Sequence, residues 1–202
     1  MAEKTVVYVI DDDAAMRDSL AFLLDVNGFL PEVFESSSAF LSRATTGISA
    51  CIVSDIRMPG MNGIELVRKL KSDGIACPVI LITGHGDVAL AVEAMKAGAV
   101  DFIEKPFDDA VLLGAIGLAL EARPRDEGDN SAREEAEARL AELSPRERDV
   151  LQGLVAGKIN KVIAHELGIS PRTVEVYRAN LMAKTGARSV SELMRIALAA
   201  GL

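Results

Sequence analysis

No stretch of the 202 residues approaches the apolar length that a membrane-spanning helix needs. The opening Met1-Ala2-Glu3-Lys4-Thr5 runs straight into a strand-like segment rather than a signal-peptide core, so the chain is expected in the cytoplasm, away from membranes. Cysteine is scarce. Cys51 and Cys77 stand singly inside the apolar runs Ala50-Cys51-Ile52-Val53 and Ala76-Cys77-Pro78-Val79, without the paired spacing of a metal site, and read as buried free thiols. No phosphate-binding P-loop pattern occurs, and Gly84-His85-Gly86 lacks the spacing of a dinucleotide loop. His85, alone in that loop, reads as a bystander. No internal repeat is visible.

Basic residues are in the minority, 22 against 30 acidic, and a net charge of −8 argues on its face against nucleic acid as a partner. The distribution reverses that argument. Residues 1–138 hold 12 Lys and Arg against 24 Asp and Glu, whereas residues 139–202 hold 10 against 6, a local balance of +4. Acid and base sit in different halves, which implies separate jobs. Half of the residues are apolar, enough to bury the cores of one or two domains.

Short β-branched runs alternate with helix-length segments in the first half: Val6–Ile10, Pro31–Phe34, Cys51–Ser54, Val79–Ile82 and Val100–Ile103. Gly28 follows the first helix, Asp87 is placed to cap the helix Val88–Ala97, Gly98 closes it, and a last helix starts near Asp108. Near-continuous apolar strands between helices predict an α/β fold, a flavodoxin-like doubly wound five-stranded parallel sheet over residues 1–121. Residues 122–142 read as a linker, partly helical where good helix formers cluster from residue 132. Residues 143–202 carry only helical patterns, placed at 145–156, 160–167, 171–185 and 190–200 by Ser144-Pro145, Ser170-Pro171 and Ser189. Ser144 with Glu147, and Ser189 with Glu192, have capping-box spacing. Ala164, Gly168 and Val174 supply the small residue, turn glycine and buried β-branched residue of a helix-turn-helix.

Ligands of an open α/β sheet bind beyond the carboxyl ends of its strands. There the sequence places Asp11, Asp12 and Asp13 after the first strand, Asp55 at the third, Thr83 at the fourth and Lys105 past the fifth. Converging carboxylates call for a cation, and hard oxygen donors in modest number suit Mg²⁺. A divalent ion, a lysine and a hydroxyl beside one carboxylate are the parts that stabilise a transferring phosphoryl group.

Val9-Ile10-Asp11-Asp12-Asp13, Asp55-Ile56-Arg57-Met58-Pro59-Gly60-Met61-Asn62-Gly63, Ile82-Thr83-Gly84 and Glu104-Lys105-Pro106-Phe107 resemble the receiver domain of bacterial response regulators over residues 4–121. That resemblance implies that Asp55 is the phosphoacceptor for a sensor histidine kinase. It implies that Asp12 and Asp55 bind Mg²⁺ directly, with Asp11 acting through water and the backbone carbonyl of Arg57 completing the protein ligands. Thr83 and Lys105 would hold phosphoryl oxygens, Thr83 and Phe102 would form the switch, and the Lys105–Pro106 bond would be cis. Phe102 stands where Tyr is common, so signalling through a hydroxyl is absent.

Leu143–Leu202 resembles the LuxR-type DNA-binding domain, with Thr173-Val174-Glu175-Val176-Tyr177-Arg178 opening the recognition helix. The resemblance implies a helix in the major groove of double-stranded promoter DNA, with Glu175, Val176 and Ala179 facing bases. Asn160, Lys161, Arg172, Thr173, Arg178 and Lys184 become candidate phosphate contacts. Glu175 replaces a common Lys and favours a cytosine amino group over guanine acceptors. Together the halves are similar to the FixJ-like group. This implies a transcription activator of nitrogen-fixation genes rather than a conventional enzyme, with an oxygen-sensing FixL-like kinase and RNA polymerase as partners. Apolar positions on the fourth and fifth helices predict a homodimer on phosphorylation through a face holding Val92, Lys96 and Val111.

Two other classes compete. Asp11-Asp12-Asp13 contains the D-x-D spacing of haloacid-dehalogenase-like phosphatases, with a Thr and a Lys following in order. Against it, Asp108-Asp109 opens a helix and nothing resembles a cap domain. The other is a protein-interaction switch whose helical half binds protein instead of DNA.

Overall fold

Strands covered by helices on both faces must be apolar on both faces. In the computed structural model, which describes residues 4–43, 50–84, 88–121 and 130–202, β3 (Ala50–Asp55) and β4 (Val79–Thr83) are buried at every position. With β1 (Val6–Ile10), β2 (Leu30–Phe34) and β5 (Asp101–Glu104) they form one parallel sheet in the order β2-β1-β3-β4-β5. This is the expected flavodoxin-like winding. Chain direction across the sheet reverses around β1, which pairs with both β2 and β3, so the ligand crevice lies beyond Ile10 and Asp55. Strand ends differ by a residue from expectation because pairing, not apolarity, terminates them. Ile56 N–H donates to the Ile82 carbonyl at 2.9 Å and Lys105 N–H to the Thr83 carbonyl at 2.7 Å, drawing Asp55 and Thr83 into the ladder.

Helices α1 (Ala14–Val26), α2 (Ser37–Leu41), α3 (Gly63–Ser72), α4 (Val88–Ala97) and α5 (Asp109–Glu121) follow the strands. Val7, Val9, Cys51, Val53, Ile80 and Ile82 bury one sheet face against Leu20 and Leu24 of α1 and Leu112 and Ile116 of α5. On the other face Tyr8, Phe34 and Phe40 pack their rings 5.2 to 5.9 Å apart. Cys51 is buried, as expected, but Cys77 is partly exposed. Burial pushes the Cys51 thiol up to about 12 and the Cys77 thiol to about 11, so both are poor nucleophiles.

Contacts divide the chain into two compact units, Met1–His85 with Ala97–Pro124, and Gly86–Lys96 with Arg125–Leu202. In the second lie α6 (Asn130–Ala141), α7 (Pro145–Val155), α8 (Asn160–Leu167), α9 (Pro171–Thr185) and α10 (Val190–Ala199). The partly helical spacer is α6, whose exposed surface carries Arg133–Glu137 and Glu135–Arg139 pairs one turn apart. Leu143, Val150, Leu151, Leu154, Ile163, Val174, Leu181, Leu193 and Met194 form the core around the turn between α8 and α9. Gly168 there adopts φ +66°, a left-handed conformation that a side chain would strain.

Ser144 and Glu147 form the expected capping box on α7. At α10 only half of one forms. Ser189 Oγ accepts the Glu192 N–H, but the Glu192 carboxylate takes the Arg188 N–H at 2.9 Å, one residue before the cap. The entry backbone is the reason: Ser189 is extended at φ −142° where Ser144 has φ −65°. Asp87, His85 and linker residues 122–129 lie outside the described residues. No helix among those described is long and apolar enough to cross a membrane.

Candidate functional site

The carboxyl edge of the sheet gathers a lysine between two carboxylates. Lys105, just past β5, donates from Nζ to Asp55 Oδ1 at 2.7 Å and to Asp11 Oδ2 at 3.1 Å. Asp11, Asp55 and Thr83 are buried. The Arg57 N–H holds the other Asp55 oxygen at 2.6 Å, so the Asp55 carboxylate is fixed from both sides. Burial raises the Asp11 carboxyl above its usual range, only partly offset by the Asp13 N–H and Lys105. Burial also pulls on the Lys105 ammonium, but hydrogen bonds to Asp55 and Asp11 outweigh it and leave its pKa raised. The Asp11 shift thus reflects burial, and the Lys105 shift the two carboxylates on either side of it.

Convergence is narrower than expected. Asp12 is exposed, and Asp13 is the N-cap of α1, accepting the Ala15 N–H at 2.9 Å. Among the described residues no cluster of three or more His, Cys, Asp or Glu side chains is gathered for a metal. Two hard carboxylates still fit Mg²⁺, which keeps several waters and takes few protein ligands. The Lys105–Pro106 bond is cis, as expected.

Gly63 is part of this site although its residue type carries no chemistry. A Cβ there would lie 2.5 Å from the Asp55 carbonyl oxygen and 3.0 Å from Leu81 Cδ2, so only glycine lets α3 start against the end of β3. Asn62 caps that helix in a box with Glu65.

In the helical unit, α9 exposes Arg172, Glu175, Val176 and Ala179, while Val174 and Leu181 are fully buried. Lys161 is exposed on α8, and Asn160 and Thr173 are half-buried at the starts of α8 and α9. Arg178 donates to Asn160 Oδ1 at 3.0 Å, joining the two helices. Lys184 donates from Nζ to the buried Glu147 carboxylate at 2.7 Å. That carboxyl is held down at about 2 by Lys184 first and by the Ser144 N–H second.

Residues 7–117 match the response regulator receiver domain family, and residues 141–197 the luxR family of bacterial regulatory proteins. The transcriptional regulatory protein FixJ of Bradyrhizobium diazoefficiens is 55% identical over 100% of this chain and 98% of its own length. The chain belongs to the FixJ-type response regulators. Rhizobium meliloti FixJ is 53% identical over 96% of each chain, and the crystal structure of full-length FixJ from B. japonicum aligns with TM-score 0.55 at 52% identity, covering 99% of this chain and 98% of that one.

A FixJ-type chain is a response-regulator transcription factor, not a conventional enzyme, so the phosphatase reading is dropped. Its receiver implies a histidine kinase partner and, as receivers generally do, use of Mg²⁺; its helix-turn-helix implies DNA rather than protein as the target. Of the remaining candidate positions, Phe102 is half-buried on β5, Lys96 is exposed and Val111 is 52% exposed, whereas Val92 is buried. Sequence reasoning did not foresee the Lys184 partner of Glu147 or the close approach at Gly63. The capping-box spacing pointed at Glu147, and Gly63 ends the run Asp55–Gly63, but neither signal carries a partner's distance.

Proposed function

We propose that this FixJ-type regulator is switched by phosphorylation of Asp55, and that the switched form dimerises on promoter DNA and activates nitrogen-fixation genes. The observation that carries it is the Lys105 ammonium bridging the buried Asp55 and Asp11 carboxylates at the end of the sheet. An Asp55 oxygen bonds to phosphorus as the phosphorus–nitrogen bond of the kinase's phosphohistidine breaks. Lys105 then holds a phosphoryl oxygen, and the Thr83 hydroxyl another. Asp12 and Asp55 would hold Mg²⁺ directly, with the Arg57 carbonyl and with Asp11 through water, and the ion would supply charge neutralisation. Movement of Thr83 and Phe102 would relay the change to a face holding Val92, Lys96 and Val111.

The kinase is FixL-like and oxygen-sensing, by this chain's relationship to the FixJ proteins. RNA polymerase is the further partner an activator requires. Asn160, Lys161, Arg172, Thr173 and Arg178 contact phosphates; Glu175, Val176 and Ala179 face bases, with Glu175 favouring cytosine. The test is intact-mass measurement after acetyl phosphate and Mg²⁺. Wild type gains one phosphoryl group and Asp55→Asn gains none; normal labelling of Asp55→Asn refutes the assignment.

A further inference from the structure

The recognition helix is held to the rest of its unit by two polar ties as well as by packing. Its buried stripe runs Val174, Leu181 and Thr185. At about 100° per residue, Arg178 lies roughly 40° to one side of Val174 and Lys184 roughly 80° to the other. Arg178 is tied to Asn160 at the start of α8, and Lys184 to Glu147 in the first turn of α7. The far end of the Lys184 tie is rigid: Glu147 is buried, accepts the Ser144 N–H at 2.8 Å, and closes the capping box of α7. Lys184 Nζ also lies 3.5 Å from the Glu142 carbonyl.

Ties on opposite flanks of a stripe oppose rotation of the helix about its own axis. Rotation is what base reading cannot tolerate. Side-chain tips lie about 6 Å from a helix axis, so a turn of about 10° moves them roughly 1 Å, a third of a hydrogen-bond length. Phosphate contacts by long flexible cations absorb such a shift. Glu175, Val176 and Ala179 are short and do not.

Resting on the reading of α9 as the base-reading helix, we infer that Glu147 and Lys184 are positioning residues for sequence discrimination. Lys184 is thereby taken out of the phosphate contacts. Its ammonium is committed to a buried carboxylate, and the pair sets which way the reading face of α9 points. Arg178 and Asn160 brace the opposite flank.

The experiment uses the full-length chain with acetyl phosphate and Mg²⁺. A duplex enriched by wild type from a random library is compared with a scrambled duplex of the same composition, across a salt series, by fluorescence anisotropy. Lys184→Met and Glu147→Gln change net charge in opposite directions. A purely electrostatic effect therefore moves DNA affinity in opposite directions. Lost positioning instead lowers the selected-to-scrambled affinity ratio in both, by roughly tenfold on the scale of one good base contact. The double variant, which restores net charge, is expected to be no worse than either single one. Slopes of affinity against salt stay at the wild-type value.

Circular dichroism melts verify folding, and Lys184→Met leaves the α7 capping box in place should Glu147→Gln fail to fold. A Lys184→Met protein that loses affinity equally for both duplexes, with a salt slope reduced by about one, is a lost phosphate contact and overturns the inference. So does a folded Lys184→Met protein with an unchanged ratio. If wild type enriches no sequence at all, the base-reading premise itself has failed.

Discussion

Replacing Gly63 by alanine tests whether the proposed phosphoacceptor site depends on the closeness of α3 to β3. The added Cβ would sit 2.5 Å from the Asp55 carbonyl oxygen and 3.1 Å from Ile56 Cα, both backbone atoms that cannot swing aside. Relief to an ordinary contact needs a movement of about 1 Å, shared between the helix start and the strand end, and overpacking of this kind costs about 1–3 kcal/mol. Gly63 does not occupy the left-handed region, so alanine incurs no dihedral strain and even gains slightly in helix propensity. The penalty is therefore steric and falls on Asp55 itself. Its side chain is set to within hydrogen-bond tolerance by Lys105 at 2.7 Å and the Arg57 N–H at 2.6 Å. A displacement near 1 Å in a reacting group costs about 100-fold in rate. Urea unfolding should show the stability loss, and the rate of phosphoryl uptake from acetyl phosphate should fall about 10- to 100-fold. A folded Gly63→Ala protein with wild-type stability and wild-type uptake would refute the reasoning.

Glu147 gives a pH prediction. Its folded pKa of about 2 lies below its ordinary value of 4.5, so its stabilisation is complete above that value and drains away as pH falls toward about 2. Allowing for water around the half-exposed Lys184, wild type should exceed Glu147→Gln by about 1–2 kcal/mol near neutrality, with the gap closing in acid; a pH-independent gap counts against the ion pair. Phosphorylated wild type should dimerise in light scattering and Val111→Asp should not. Val111 is the better probe because Val92 is buried, so a charge there would unfold rather than inform. Dimerisation of Val111→Asp equal to wild type would exclude that residue from the interface. Lys161→Met should weaken binding to selected and scrambled duplexes alike and reduce the salt slope by about one, and a change in their ratio instead would make Lys161 a base reader.

The sequence by itself determined the strands and helices, the doubly wound parallel class of the sheet and the residues at its carboxyl edge. Apolar periodicity and capping residues are local, and a parallel sheet leaves few ways to wind them. Asp11, Asp55, Thr83 and Lys105 were legible because each follows an apolar run. What only the tertiary structure decided is which neighbours meet. Three adjacent aspartates look equivalent in sequence, yet one reaches Lys105, one stays in water and one caps α1. Lys184 has the charge of a phosphate contact and the partner of a structural residue, 37 positions away in the chain. Gly63 has no chemistry until the Asp55 carbonyl stands 2.5 Å from where its Cβ would be. Pattern records how often a residue type recurs along the chain, whereas burial, ion pairing and close approach depend on distances between segments that the chain brings together only on folding.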